Sequence, residues 1–310
     1  MNQPVYGLPY LSADEVRSQM DPDSARRLIE QALLDGFEPA TDPARQLVSA
    51  GSGHLLLMPS NLDKWVGVKI ASVSPDNPNK GLPRIQALYI LMDAETLTPQ
   101  FIVEGSTLTV VRTPATTALA VDRLASEDAS KLVVFGSGPQ AVDHVIAFSC
   151  IRRFTDVRLV GRNPERTATA LAKLADLGVS ATQGRVADVA DADVVLCATS
   201  AKEPVFDGDL IKNGACVAAI GSHEPERREL PGDLLARSLV VVEDFSTALR
   251  EAGDIILAIE EGSTETDRLR VLADLVLGEF TRSSDRPNVF KGTGMSWQDL
   301  AVVSGLRIPE

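Results

Sequence analysis

Three cysteines, three histidines and two tryptophans are all that this 310-residue chain holds of those side chains. Cys150, Cys197 and Cys216 form no Cys-x-x-Cys pair. All three lie in apolar runs and read as buried small hydrophobes of a reducing compartment. His54, His144 and His223 are far apart and lack ligand spacing, so no metal site is expected. No stretch approaches the roughly 18 apolar residues of a membrane span. Met1 to Asp23 lacks a basic region followed by an apolar one. The expected setting is soluble and cytoplasmic. Positive charge is also short, with 30 Lys and Arg against 43 Asp and Glu and a formal net charge of -13. Such a surface repels phosphate backbones and anionic lipids, so neither nucleic acid nor membrane is an expected partner. The basic residues that matter have to be found one by one.

The rest of the composition is that of an ordinary globular protein, 44% hydrophobic and 24% charged. The length fits about two domains. In the first third, Asp21-Pro22-Asp23 marks a helix start, with the helix running to about Asp35. His54–Met58, Trp65–Ile70, Ile85–Met92 and Gln100–Glu104 read as neighbouring strands of a largely antiparallel sheet. A turn-rich loop separates the middle two, from Ser74 to Pro83. A helical stretch from about Thr107 to Leu124 follows, with a break expected near Pro114.

After Ser130 the pattern changes. Short apolar strands at 132–135, 157–160, 194–198, 215–220 and 239–242 alternate with helices at 139–150 and 164–177. Continuous apolar strands alternating with helices predict a parallel sheet covered on both faces. The tail carries a predicted helix near 266–277, a loop at Lys291-Gly292-Thr293-Gly294 and a last helix from Trp297.

The first of these strands runs into Gly136-Ser137-Gly138-Pro139-Gln140-Ala141 and then a helix. The first glycine permits the tight turn, and the second lets backbone approach a pyrophosphate. The alanine allows close packing of helix on strand. The helix start aims N–H groups and a positive dipole end at phosphates, and Pro139 suits the first turn. A Gly-x-Gly-x-x-Ala motif alone is a weak signal, but its strand–turn–helix context is right. The second strand ends in Val160-Gly161-Arg162-Asn163-Pro164-Glu165-Arg166. No acid stands at its tip to hold a ribose 2′-hydroxyl. Arg162 stands there instead, suited to a 2′-phosphate with Asn163 and Arg166 assisting. NADP(H) is therefore the expected cofactor, with NAD(H) as the alternative.

Arg45, Lys69 and Arg112 form a basic set in the acidic first third. A charge ending the apolar strand at Lys69 needs a reason. Cations of this kind can clamp a carboxylate, and a pocket lysine can protonate or polarise a C–N centre. As isolated residues, each could equally be a surface cation.

Taken together, the motifs resemble the ornithine cyclodeaminase/mu-crystallin family over nearly the whole chain. The residues carrying the likeness are Arg45, Lys69, Arg112-Thr113, the glycine turn, Gly221-Ser222-His223-x-Pro225-x-x-x-Glu229-Leu230 and Val289-Phe290-Lys291-Gly292. The resemblance implies an α/β fold. Residues 118–289 would form a Rossmann dinucleotide-binding domain. Residues 1–117 and 290–310 would form an α+β substrate-binding and dimerisation domain, giving a homodimer. It further implies Arg45 and Arg112 on a substrate carboxylate, with Lys69 on the carboxylate or the reacting nitrogen. Arg112 and Thr113 would also meet the cofactor. Pro139 and Gln140 would line its pyrophosphate, and Thr199 and Ile220 would lie along its nicotinamide half. Gly292 and Thr293 would close the site, Thr293 towards the substrate.

Two departures shape the expected reaction. Cyclodeaminases of this family carry an aspartate where this chain has His223, which cannot supply the same anionic partner for an ammonium group. Arg162 replaces the acid that favours bound NAD. Both point away from ornithine cyclodeamination, while the retained basic set argues against the other alternative, a mu-crystallin-like protein that only binds NADPH. They point towards reduction of a small cyclic ketimine or 2-imino acid, or the reverse amino-acid dehydrogenation. Lys69 and His223 are the candidate proton-transfer groups, His223 having an unperturbed pKa near 6.5. Arg84 stands where the family often has a small hydroxyl residue, as an anion contact or a solvated loop cation. Met58, Met295 and Trp297 are candidate pocket walls.

Overall fold

The computed structural model describes residues 7–308. The beginning of the Met1–Asp23 stretch therefore lies outside the described residues. The chain separates into two compact units. One comprises the chain up to Thr113 together with the stretch from Gly294, and the other is Pro114–Thr293.

The first unit opens with β1 (Tyr10–Leu11), α1 (Ala13–Gln19) and α2 (Pro22–Leu34). Ser12 and Glu15 form a reciprocal capping box on α1, and Asp21 caps α2 ahead of a proline at its first turn. Then come β2 (Gln46–Ala50), β3 (Gly53–Leu62), β4 (Trp65–Val73), β5 (Ile85–Asp93) and β6 (Pro99–Glu104). They form one sheet in the order β1-β6-β5-β4-β3-β2, antiparallel except for the β1–β6 edge. The sequence reading missed β1, β2 and α1. β2 is exposed along its whole length, so no buried face imposes an alternating pattern on it.

Met58, Lys69, Tyr89 and Val103 are register partners across four strands and share the buried face. Lys69 thus lies in the middle of β4 rather than at its end, and strand alternation turns it inward. α3 (Gly105–Leu124) passes through Pro114 without a break, contrary to expectation. Val111, Ala115, Ala118 and Leu119 are buried on both sides of the proline, and this packing holds the helix together despite the lost N–H.

The second unit contains β7 (Lys131–Phe135), α4 (Pro139–Ser149), β8 (Asp156–Val160), α5 (Pro164–Asp176), β9 (Thr182–Gln183), β10 (Val194–Cys197) and β11 (Cys216–Ala219). It continues with α6 (Gly232–Arg237), β12 (Leu239–Val242), α7 (Phe245–Glu251), α8 (Gly253–Glu260), β13 (Leu269–Val271), α9 (Leu272–Leu277) and β14 (Asn288–Lys291). The parallel sheet has the order β13-β12-β14-β11-β10-β7-β8-β9. The chain winds outward in both directions from β7. This makes the C-terminal ends of β7 and β10 the switch point where open α/β sheets bind ligands.

Three corrections belong to this unit. β14 lies between β11 and β12, so Phe290 and Lys291 belong to the parallel sheet and not to the tail. Residues 266–277 contain a short 3-10 turn, the strand β13 and only then α9, because Leu269 and Val271 pair with β12. Cys197 and Cys216 are buried, but Cys150 is exposed, since it is the C-cap of α4 where the helix leaves the core.

The chain ends with α10 (Ser296–Ser304), in the first unit. It packs on β3, β4 and α2 and is buried along nearly its whole length. Among the described residues, no helix is long and apolar enough to cross a membrane.

Candidate functional sites

In the second unit, Gly136 adopts φ +123°, and a Cβ there would come 2.5 Å from the carbonyl oxygen of Ala198. Only glycine serves at this point. Gly138 is the N-cap of α4 with no side chain to close the helix end, and a Cβ there would meet nothing within 4 Å. An uncapped helix start beside open space is a cradle for an anion. The Oε1 of Gln140 is buried without a hydrogen-bond partner, a further polar group available at this turn. The residues present therefore fit a dinucleotide pyrophosphate. His144 is buried on α4 with its ring nitrogens 2.7 Å from the Gln140 carbonyl and 3.0 Å from Thr117 Oγ1, which braces the turn from behind.

Gly161 follows β8 so closely packed that a Cβ would lie 3.3 Å from Ser137 Oγ. Arg162 and Arg166 are exposed. Asn163 caps α5 by accepting the N–H of Arg166, so its side-chain oxygen already has a structural task.

At the ends of β10 and β11 a buried carboxylate organises the backbone. Glu229 accepts hydrogen bonds at 2.7 Å from Thr199 N, Thr199 Oγ1 and Gly221 N. Burial pushes its pKa up, while Lys291 pulls against that shift. Asp254 in turn accepts from the N–H groups of Glu229 and Leu230. Lys291 pairs with Asp254 at 3.1 Å and donates to the Ser222 carbonyl at 2.6 Å. Thr293 is held by Glu243 through its N–H at 2.7 Å and its hydroxyl at 3.2 Å. Ile220 and Gly292 immediately follow β11 and β14. His223 is exposed on the loop after β11.

The first unit carries the cation cluster. Lys69 Nζ lies 2.6 Å from Asp299 Oδ2, and Arg112 Nε lies 3.3 Å from Asp299 Oδ1. Arg112 also donates to Gln298 Oε1 at 3.2 Å. Side-chain exposures of 3% for Lys69, 7% for Arg112 and 0% for Asp299 mean that two cations share one carboxylate out of water. Burial pushes the Lys69 ammonium down to about 8, against the pull of Asp299, and the charges of Arg112 and Arg45 push it further. Gly294 closes on this cluster with φ +81°, and a Cβ there would lie 2.4 Å from an Arg112 nitrogen.

Nearby, Asp42 accepts from Ser60 Oγ at 2.7 Å and Trp297 N at 3.0 Å. Burial raises it to about 6 in spite of these bonds, with Asp299 adding to the rise. The Tyr89 hydroxyl is buried without a partner. Met58, Met295 and Trp297 are buried in the same unit. Arg84 is exposed at the end of its loop.

The structure thus brings Lys69 and Arg112 onto one carboxylate, with Arg45 close enough to act on Lys69 electrostatically. Sequence reasoning missed Asp299, Gln298, Asp42 and Gly294, and gave Glu229 no role. The signal for Asp299 was a Gln-Asp pair inside an otherwise apolar terminal helix.

A sequence model of the ornithine cyclodeaminase/mu-crystallin family matches residues 11–307. A Δ1-pyrroline-2-carboxylate reductase of Colwellia psychrerythraea is 30% identical over 304 residues, covering 94% of this chain and 95% of that one. The ketimine reductase mu-crystallin of Rattus norvegicus is 29% identical over 307 residues, covering 94% of each. Among solved structures, Thermococcus litoralis Δ1-pyrroline-2-carboxylate reductase in complex with NADH and L-proline superposes with a TM-score of 0.90 at 26% identity, covering 96% of both chains. An archaeal alanine dehydrogenase dimer with bound NAD gives the same TM-score and identity, covering 96% of this chain and 94% of that one.

Proposed function

Because the chain belongs to the ornithine cyclodeaminase/mu-crystallin family, we propose that it is a nicotinamide-dependent oxidoreductase of C–N bonds. It reduces a small cyclic ketimine or 2-imino carboxylic acid, or oxidises the corresponding amino acid. The observation that carries this reading is the buried Lys69–Asp299–Arg112 cluster. Two buried cations gathered on one carboxylate give a dry, cationic place in which a substrate carboxylate can be held. Arg112 and Arg45 hold that carboxylate, Arg112 through its planar fork of donors.

Lys69 holds the proton. With its pKa near 8 it is largely ammonium at neutral pH yet weakly basic enough to give a proton up. A dinucleotide held at the Gly136–Gln140 turn would supply the hydride. Lys69 donates the matching proton to the nitrogen, leaving a secondary or primary amine and a neutral lysine, which Asp299 keeps oriented. His223 in place of the cyclodeaminase aspartate supports net reduction over ammonia release.

Arg162, exposed beyond the end of β8, supports NADP(H) over NAD(H). The Thermococcus relative binds NADH, so the preference is a property of this chain to be measured. A homodimer is the expected assembly. Its support is the other face of the first unit's sheet, where Val68, Ile90 and Ile102 pair in register, with Ile70 and Leu88 in the neighbouring row. Leu88 is 47% exposed there. Apolar residues in register on an open face call for a covering partner.

The test offers five- and six-membered cyclic 2-carboxy imines with NADPH or NADH and follows the nicotinamide absorbance. Reduced cofactor consumed in step with amine formed is the expected result. Conversion of ornithine to proline with ammonia and no net cofactor oxidation would overturn it.

A further inference from the structure

A second cluster of cations lies in the nucleotide unit, at the N-terminal ends of β12, β13 and β14, opposite the end that carries the glycine turn. A cavity of about 560 Å³ opens there, lined by Arg268, Arg270, Arg282 and Arg286 together with Asp267 and Asp285. Four arginines and two acidic residues line it, in a chain whose overall charge is -13. Among the described residues, none of the four arginines forms a salt bridge.

Three of the four are nevertheless fixed. Arg282 donates to the carbonyls of Leu124 at 3.2 Å and Gly214 at 2.9 Å. Arg268 donates to the Ala236 carbonyl at 2.9 Å. Arg270 donates to the carbonyls of Asp267 at 2.9 Å and Leu269 at 2.8 Å. A backbone carbonyl orients a guanidinium without cancelling its charge, and each guanidinium has five N–H donors. These arginines therefore keep donors to spare.

The loop that carries Arg282 and Arg286 is itself held. Asn288, fully buried, bonds Ser283 N and Ser283 O at 2.7 and 2.9 Å, and the Arg286 carbonyl accepts from Gly214 N at 3.1 Å. Thr281 and Ser284 add hydroxyl groups to the lining.

We propose that this cavity binds a small phosphate-bearing anion, at a site separate from the cofactor. Forked donors fit phosphate oxygens in pairs. The volume lies within the range of small-ligand pockets and exceeds what a single chloride or acetate needs. Long-range repulsion by the acidic surface makes positioned cations that outnumber the local carboxylates the condition for any anion to bind.

The test uses the full chain saturated with its nicotinamide cofactor, so that the glycine turn is occupied. Inorganic pyrophosphate is titrated by calorimetry and by thermal shift, with sodium chloride at matched ionic strength as control and malonate as a dicarboxylate comparison. Saturable pyrophosphate binding is expected, weakened about tenfold by Arg286→Ser and by Arg270→Gln, and more by the pair, since a charge-assisted bond contributes about that factor. Both side chains are exposed, so the variants keep the fold, and circular dichroism checks this. Absence of saturable binding to the cofactor-loaded protein overturns the proposal. So does unchanged affinity in the double variant, or malonate binding as tightly as pyrophosphate. Neither readout depends on imine turnover.

Discussion

Asp299 Oδ2 lies 2.6 Å from Lys69 Nζ, while its other oxygen meets Arg112. One carboxylate on the last helix therefore sets the charge state of the residue assigned the proton and orients the residue assigned the substrate anion. Asp299 raises the Lys69 pKa against a larger lowering by burial.

Asp299→Asn should move the alkaline limb of the kcat/KM profile to lower pH. In the wild type the protonated lysine that the proposed reduction uses is lost as pH rises through about 8. Without the carboxylate that loss begins earlier. Stability should fall by about 3–5 kcal/mol, because a buried charge left without its partner costs that much. An alkaline limb that stays in place, in a variant that still folds, would remove Lys69 from the role of proton donor.

Asp42 gives a separate pH test, read on stability instead of activity. Its folded pKa is raised to about 6, chiefly by burial, above an ordinary value of 3.8. A carboxyl group raised in this way contributes its stability in full below the ordinary value, and the contribution is lost as pH rises through about 6. The wild type should thus melt higher near pH 5 than near pH 7.5 from this group alone. Asp42→Asn, which keeps an acceptor for Trp297 N and turns an NH2 donor towards the Ser60 hydroxyl, should flatten that part of the curve. Identical slopes for the two proteins would place the titration elsewhere.

Much of this was legible before the structure. The strand–turn–helix at Gly136 followed from local rules, because steric demands on a tight turn and a helix start are written in consecutive residues. The four longest strands of the first unit showed themselves by their composition. The failures share one cause. β14 is a four-residue strand far from its neighbours in sequence, and its central place depends on pairing with β11 and β12. Asp299 lies 230 residues from Lys69, so no spacing could join them. Cys150 was misjudged because an apolar run does not reveal where a helix turns away from the core.

The proposed NADP(H) preference rests on Arg162. Arg162→Ser should raise the NADPH Kd about tenfold or more and leave the NADH Kd within about twofold, since only the 2′-phosphate loses a charge-assisted partner. Fluorescence titration with both cofactors checks this. Equal losses for the two would assign Arg162 to a contact common to both.

Glu229 joins Thr199 and Gly221 through three 2.7 Å bonds. Glu229→Gln keeps the shape but turns an NH2 group towards a donor on one side. A buried N–H is then left unmet, at a cost of about 1–3 kcal/mol. The melting temperature should fall accordingly, and the KM for the dinucleotide should rise if these strand ends hold its nicotinamide half. A fall in stability with an unchanged cofactor KM would make Glu229 structural only.

Gly294 provides the sharpest separation of substrate from cofactor effects. At φ +81° an alanine is strained whatever the space, and its Cβ would lie 2.4 Å from an Arg112 nitrogen. The guanidinium is the end of a flexible side chain, so it will yield before the backbone does. Arg112 then leaves the geometry in which Asp299 and Gln298 hold it. Gly294→Ala should therefore raise the KM for the imino acid at least tenfold, with the dinucleotide Kd nearly unchanged. Arg112→Lys should mimic it, because a single ammonium cannot replace a forked donor on a carboxylate. If Gly294→Ala weakens dinucleotide binding as much as it weakens the imino acid, Arg112 is serving the cofactor and the anion clamp must be sought around Arg45 and Lys69.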